Sequence, residues 1–460
     1  MKTRVKVIVL TRDPNIAMWP YMGYDFKKRS REVLSMLESE LPDIEFTPAM
    51  YDSREQAEKA LEGDDFDGYL VYMTCRQPEV SELYVRNARP VIVATDLYGG
   101  SGGFLRLYSL IEEEGLPAVG VSSSNFQDIA KAVHLFDVMK KMRESKILVV
   151  ADREKEVTGQ QTMERTEEAS GEQSNQIEIE ELEAYHQQMV DRTQELFGTQ
   201  IVRMGSDKLR GYYEAADADE AERWKDKWIQ EAIKVVEPSE AEIRRSARMY
   251  LALKAAMAEA QADAITVDCL GLFYANKLPA YPCLGFFQLN NEGSTGVCEA
   301  DIDSTLTQLL IRYTTGRPAY VSDPVIDTGS KQIVYAHCVA TNRPFGPDGL
   351  ANPYIIRSHA EDNKGASVQS LMPLGHEVTT IKVSVRNNAF AVHNAMAVAN
   401  VEDDKACRTK LAAEGEARKI LKQYHYERFG YHRLTCYGDY RRQFIDLATL
   451  YGLDILEEDR

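Results

Sequence analysis

Between residues 290 and 337 the chain is dense in groups that can hold a cation or move a proton. The stretch "NNEGSTGVCEADIDSTL" sets Glu292, Glu299, Asp301 and Asp303 among glycines and asparagines. After it, "AYVSDP" places Asp323 at the end of an apolar strand that Pro324 is expected to stop, and "QIVYAHCVA" carries His337 in an apolar setting. Near the C-terminus, "FGYHRLTCYGD" puts His432 at the mouth of another strand. Carboxylates with one or two histidines at strand ends are the ligand set of a hard or borderline divalent ion such as Mn2+ or Mg2+. A plainer reading of the acidic cluster stays open. "STLTQLLIRYTT" sets Leu306, Leu309 and Leu310 on one helical face, with Gly316 as a left-handed cap and Pro318 beyond it. Glu299, Asp301 and Asp303 then sit where a helix N-terminus favours negative charge.

Elements must bring these residues together. Through the first 150 residues, short β-rich runs ("VKVIVL", "FDGYLVYMTC", "PVIVATD", "PAVGVSSS") alternate with helical patterns. Such alternation predicts a mostly parallel sheet covered by helices on both faces. A long helix, "NFQDIAKAVHLFDVMKKMRES", closes this part, and "KILVVAD" starts a second. Residues 153–176 hold almost nothing that would anchor a core and read as a flexible insertion. "SEAEIRRSARMYLALKAAMAEAQ" reads as a helix with Ser239 as N-cap, and "AITVD" as a buried strand ending at Asp268. Beyond about residue 325 the runs become β-rich, with one helix expected over "KLAAEGEARKILKQYH". The expected fold is therefore α/β: two Rossmann-like domains with parallel sheets, over 1–145 and 146–325, then a β-rich, antiparallel and barrel-like domain over 326–460.

Composition bounds the function. At 460 residues, with 44% hydrophobic and 27% charged residues, the chain is an ordinary globular protein of more than one domain. A formal net charge of −18 argues against nucleic-acid or anionic-membrane partners, whose phosphates it would repel. The apolar run Val5–Leu10 is too short for a signal-peptide core or a membrane span. Seven cysteines form no C-x-x-C pair and lie largely in apolar runs, which points to a reducing, cytoplasmic setting.

From Ala264 onward the order of features is specific: E-x-D before a helix, T-G-R-P, an acidic strand end, an A-H-C strand, "IRSHAEDNKGASVQSLMPLGHEVTTIKV", then H-x-x-x-x-Y-G-D. This order resembles the fucose/arabinose ketol-isomerase superfamily. The resemblance implies an aldose–ketose isomerase acting on a pentose, hexose, deoxy- or anionic modified sugar. It also implies Mn2+, or another divalent cation such as Mg2+ or Co2+, held by Glu299, Asp323 and His432. His337 matches the strand histidine that is a further ligand in arabinose-type members, and the spacing of Glu299 from Asp323 resembles the fucose-type arrangement. Members are homo-oligomers whose sites are completed by a neighbour's N-terminal domain; a trimer or hexamer is expected, with Arg12 and Trp19 as candidates for that contribution.

Ketol isomerisation removes a proton beside a carbonyl. A metal held by oxygen ligands stabilises the cis-enediolate, and Glu299 and Asp323 can serve as ligands and as the acid–base pair. A lyase or epimerase sharing the enediolate is a rival reading, as is a non-catalytic sugar-binding or regulatory protein, which would need no such ligand set. "RSHAEDNKG" offers Arg357, His359 and Lys364 as sugar contacts that would favour an anionic substrate, against a solvated turn. Asn291 is a candidate for sugar-hydroxyl contacts, against a helix end capped by Gly293. The glycine loop 98–103 lacks the Walker lysine and the G-x-G-x-x-G spacing, so a tight turn at a sheet rim is preferred to a phosphate cradle.

Overall fold

The computed structural model describes residues 2–87, 89–152, 184 and 187–460. The expected insertion at 153–176 lies outside the described residues. The chain forms two compact units: Met1–Lys141 with Arg442–Asp454, and Met142–Arg441 with Ile455–Arg460. Among the described residues no helix is long and apolar enough to cross a membrane.

The first unit is built on five parallel strands in the order Ile44–Tyr51, Thr3–Leu10, Gly68–Met73, Val91–Thr95, Ala118–Val121. Gly68–Met73 and Val91–Thr95 are buried throughout, which is why they read as continuous apolar runs rather than alternating ones. Helices connect successive strands, as right-handed crossovers require. The order reverses between Thr3–Leu10 and Gly68–Met73, so the carboxyl ends of those strands flank a crevice. The glycine loop lies on this rim and is a close-packed turn. A Cβ on Gly100 would stand 1.8 Å from the Met73 carbonyl oxygen, and one on Gly99 2.5 Å from that of Thr74.

The second unit begins with a parallel sheet in the order Gly296–Cys298, Ala264–Val267, Lys146–Val150, Gln200–Met204. Ser239 caps the helix Glu240–Ala260 by accepting from Glu242 N at 3.3 Å. The β-rich part is a seven-stranded sheet in the order Glu377–Ser384, Arg433–Tyr437, Tyr320–Asp327, Gln332–His337, Thr409–Glu414, Ala389–Asn400, Asp454–Glu457. Glu377–Ser384 pairs antiparallel with both Arg433–Tyr437 and Ala389–Asn400, so six strands close on themselves into a barrel. Its core includes Tyr320, Ile333, Tyr335, Val378, Leu411 and Tyr437, all buried.

Two local expectations differ from what is observed. Lys410–Glu414, expected as helix, is a strand, and the helix starts only at Ala417. Leu411, Ala412 and Ala413 are each fully buried, and pairing with Gln332–His337 on one side and Ala389–Asn400 on the other outweighs the helix propensity of an alanine pair. Pro324 does not stop its strand, which runs on to Asp327. Pairing with Arg433–Tyr437 ends at Ser322, so beyond it only the Gln332–His337 side is paired, and a residue lacking an N–H is tolerated there.

Candidate active site

Glu299 is presented by a strained turn. The edge strand Gly296–Cys298 is secured by the buried amide of Asn290, whose Nδ2 donates to Gly296 O and whose Oδ1 accepts from Gly296 N, both at 3.0 Å. Glu299 and Ala300 then adopt φ of 67° and 50°, two consecutive left-handed non-glycine residues. Each such residue costs roughly 1–3 kcal/mol and persists only where the surroundings over-determine it. Here the Ala300 N–H donates to Val267 O at 3.0 Å and tethers the turn to the neighbouring strand end.

Asp301 follows and caps the helix Ile302–Thr315, accepting from Ser304 N at 2.8 Å. Its Oδ2 also accepts from Lys382 Nζ at 3.0 Å and from His432 Nδ1 at 2.9 Å. His432 Nε2 thereby faces the other carboxylates, 3.5 Å from Glu299 Oε2 and 3.4 Å from Asp323 Oδ1. His337, at the end of its barrel strand, points its Nε2 to within 3.9 Å of Glu299 Oε1. Ligand atoms of Glu299, His337 and His432 all lie within 4.8 Å of one another. The Cys407 thiol lies 3.9 Å from Asp323 Oδ2.

The electrostatics follow from burial. Removal from water, with Asp323 and Asp301 nearby, pushes Glu299 up to about 7 despite the opposing pull of His432. Burial alone would lower His432, but Glu299, Asp301 and Asp323 together raise it to about 10. Burial takes His337 down to about 4. Asp301, though desolvated, is held well below the usual carboxylate range by Lys382 and His432. With Glu299 ionised, three carboxylates, Glu299, Asp301 and Asp323, face two cations, Lys382 and His432, an excess of negative charge that a divalent cation relieves. Both histidine Nε2 atoms are buried without a hydrogen-bond partner, and buried polar atoms are seldom left so. His432, with a carboxylate on one ring nitrogen and the other nitrogen free, has the arrangement of a metal-binding histidine. The residues fit a divalent ion bound by nitrogen and oxygen donors.

The structure brings Glu299, Asp323, His337 and His432 together, with His359 near enough to His337 to act on it electrostatically, while Arg357, Lys364 and Asn291 have surroundings of their own. The Arg357 guanidinium is engaged by Glu237 at 2.6 Å and by Gln369 and Asp404 at 3.0 Å. That clip crosses the small sheet Ser367–Ser370, Tyr354–Arg357, Lys234–Val235. Lys364 is exposed, whereas His359 is buried and stacks on Tyr281 at 4.5 Å. Asn291 accepts from the Thr341 hydroxyl at 2.6 Å and from Asn342 N at 3.1 Å. It lines a cavity of about 710 Å³ with Gln288, Glu292 and Arg343, and none of the cluster residues borders that cavity. Arg12 and Trp19 belong to the first unit, just past its first strand, and Trp19 is 68% exposed.

At a helix N-terminus Asp301 and Asp303 read as simple terminal charges, and nothing in that reading points to Lys382. Yet a lysine inside "TTIKVSV" was a signal, since a lysine in a buried strand must be paired. Lys382 is 2% exposed, and its partner is Asp301.

No protein-family model matches the chain. It is similar to the sulfoquinovose isomerases of Priestia aryabhattai and Priestia megaterium (strain ATCC 12872 / QMB1551). Each is 27% identical over 201 residues, which is 42% of this chain and 43% of the relative. The match therefore spans less than half the length of either curated relative.

Proposed function

We propose that the Glu299–Asp323–His432 cluster is the active centre of a divalent-metal-dependent aldose–ketose isomerase. The observation that carries this reading is His432, whose Nδ1 is held by Asp301 while its unpaired Nε2 lies between Glu299 and Asp323. The similarity to two sulfoquinovose isomerases supports the reaction class. Glu299, Asp323 and His432 would hold Mn2+, or Mg2+ or Co2+ in its place, and a bound ion supplies positive charge to sugar oxygens as they become negative.

The proton is moved by the chain itself. A positioned carboxylate can carry a proton between neighbouring carbons, and Glu299 is held by its left-handed turn beside His432 and His337. Glu299 therefore accepts the proton from one sugar carbon and returns it to the next. Asp323, 3.4 Å from His432 Nε2, is the second carboxylate for the oxygen-bound protons. Asp301 keeps the His432 ring oriented throughout.

Sulfoquinovose is the first substrate to test, because both relatives carry its name. The assay incubates the Mn2+-loaded protein in D2O with sulfoquinovose and with neutral pentoses, hexoses and deoxyhexoses. Deuterium entering C2 of one sugar, with ketose formed, is the expected result. A folded, metal-loaded protein that converts none of these sugars to a ketose overturns the proposal. We further propose a homo-oligomer, a trimer or hexamer, in which Arg12 and Trp19 of one subunit serve a neighbour. Support comes from the exposure of Ile16, Trp19, Tyr21, Met22 and Tyr98 together on the first unit. Light scattering that reports an active monomer overturns it. A cytoplasmic location accords with seven free cysteines, six of them buried.

A further inference from the structure

The two histidines of the cluster are not equivalent. The backbone N–H of Cys338 donates to His337 Nδ1 at 3.0 Å. A ring nitrogen that accepts a hydrogen bond carries no proton, so in the neutral imidazole the single proton sits on Nε2. That Nε2 is the atom buried without a partner, 3.9 Å from Glu299 Oε1. With its proton in place it has no lone pair to give a metal. His432 is the reverse case. Asp301 Oδ2, at 2.9 Å, only accepts, so the proton of His432 stays on Nδ1 and Nε2 is the nitrogen able to bind an ion. The rings stand 5.8 Å apart between centroids and are tilted by 58°, and their Nε2 atoms approach different oxygens of the Glu299 carboxylate, at 3.9 and 3.5 Å.

We propose that His337 is not a metal ligand but a neutral hydrogen-bond donor, presenting its Nε2 proton to a sugar oxygen beside Glu299. The donor role rests on the isomerase reading above; the tautomer does not. A neutral imidazole can stabilise charge developing on an enediolate oxygen without giving up its proton, so it need not be re-protonated in each turnover. The backbone enforces the choice. Moving the ring proton to Nδ1, so that Nε2 offers a lone pair, would set it against the Cys338 N–H, two donors face to face in a buried strand end.

The tautomers are read directly from long-range proton–nitrogen correlations of the ¹⁵N-histidine-labelled full-length protein, first metal-free and then with the diamagnetic ion Zn2+. The expected spectrum shows His337 protonated on Nε2 in both states, whereas His432 keeps its Nδ1 proton throughout and its Nε2 moves to a metal-bound position when Zn2+ is added. A His337 Nε2 signal that moves to a metal-bound position overturns the inference. Mn2+ affinity supplies a second readout. His432→Gln should weaken binding by at least about 10–100-fold, while His337→Asn should leave it within about threefold. Comparable losses in both variants would make His337 a ligand. Turnover separates the donor role: His337→Asn, whose amide does not reach the Nε2 position, should lose about 10²–10³-fold, and His337→Gln, whose amide nitrogen does reach it, should recover part of that. Failure of the isomerase reading would leave the spectra and the Mn2+ affinities unchanged, so the two ideas fall separately.

Discussion

Replacing Asp301 by asparagine separates two jobs that one carboxylate performs. The substitution keeps an oxygen for the Ser304 N–H, so the cap of the helix Ile302–Thr315 survives. It removes the charge that pairs with Lys382, whose side chain is 2% exposed, and it can turn an amide donor toward the donor at His432 Nδ1. Stranding a buried charge costs about 3–5 kcal/mol. Because the Asp301 side chain is 17% exposed and water can partly compensate, the lower end, about 3 kcal/mol, is expected in chemical denaturation. Loss of the group that orients the ligand should weaken Mn2+ binding by about 10–100-fold, measured by competition with a chelator. The double variant Asp301→Asn, Lys382→Met distinguishes the jobs. It removes both charges, so most of the stability should return, while Mn2+ affinity should stay low because His432 still lacks its acceptor. If Mn2+ affinity recovers along with stability, Asp301 acts only through the fold and its role in orienting His432 is wrong.

Three further outcomes are expected. Glu299→Gln and Asp323→Asn keep side-chain size but remove a charge and a proton acceptor, so each should lower turnover at least about 10³-fold in a steady-state assay, with circular dichroism unchanged. Activity should vanish in EDTA and return best with Mn2+, and full turnover by protein shown by elemental analysis to be metal-free would contradict this. The last concerns Glu458, fully buried, which accepts from His393 Nδ1 at 2.7 Å and from Arg433 at 2.8 Å. Burial pushes its pKa up, but Arg433 and His393 outweigh that and bring it down to about 2 from 4.5. A folded-state value below the unfolded one contributes stability that is complete above about pH 4.5 and lost as pH falls toward 2, here about 3 kcal/mol. Glu458→Gln should flatten the acid limb of the stability–pH curve over that window, and an unchanged limb would count against the network.

The alternation of short apolar runs with helical patterns specifies parallel α/β architecture by itself, because strands buried on both faces must be continuously apolar and their crossovers must be helices. Ser239 as a helix cap, and the β-rich character of the last part, are local in the same sense. Glu299, Asp323, His337 and His432 were legible as residue types at strand ends, but their meeting was not, since Glu299 follows a parallel-sheet strand and reaches His432 only because the cap of the helix Ile302–Thr315 packs against the barrel. Only the tertiary structure made Lys410–Glu414 a strand, because two neighbours bury Leu411 and its flanking alanines more effectively than an isolated helical turn. Only the fold, too, placed Lys382 against Asp301 and thereby made a helix-capping carboxylate the anchor of His432. The division between the two histidines is the finest case: side-chain identity is the same, and a single backbone N–H at Cys338 against a carboxylate at Asp301 decides which nitrogen carries the proton.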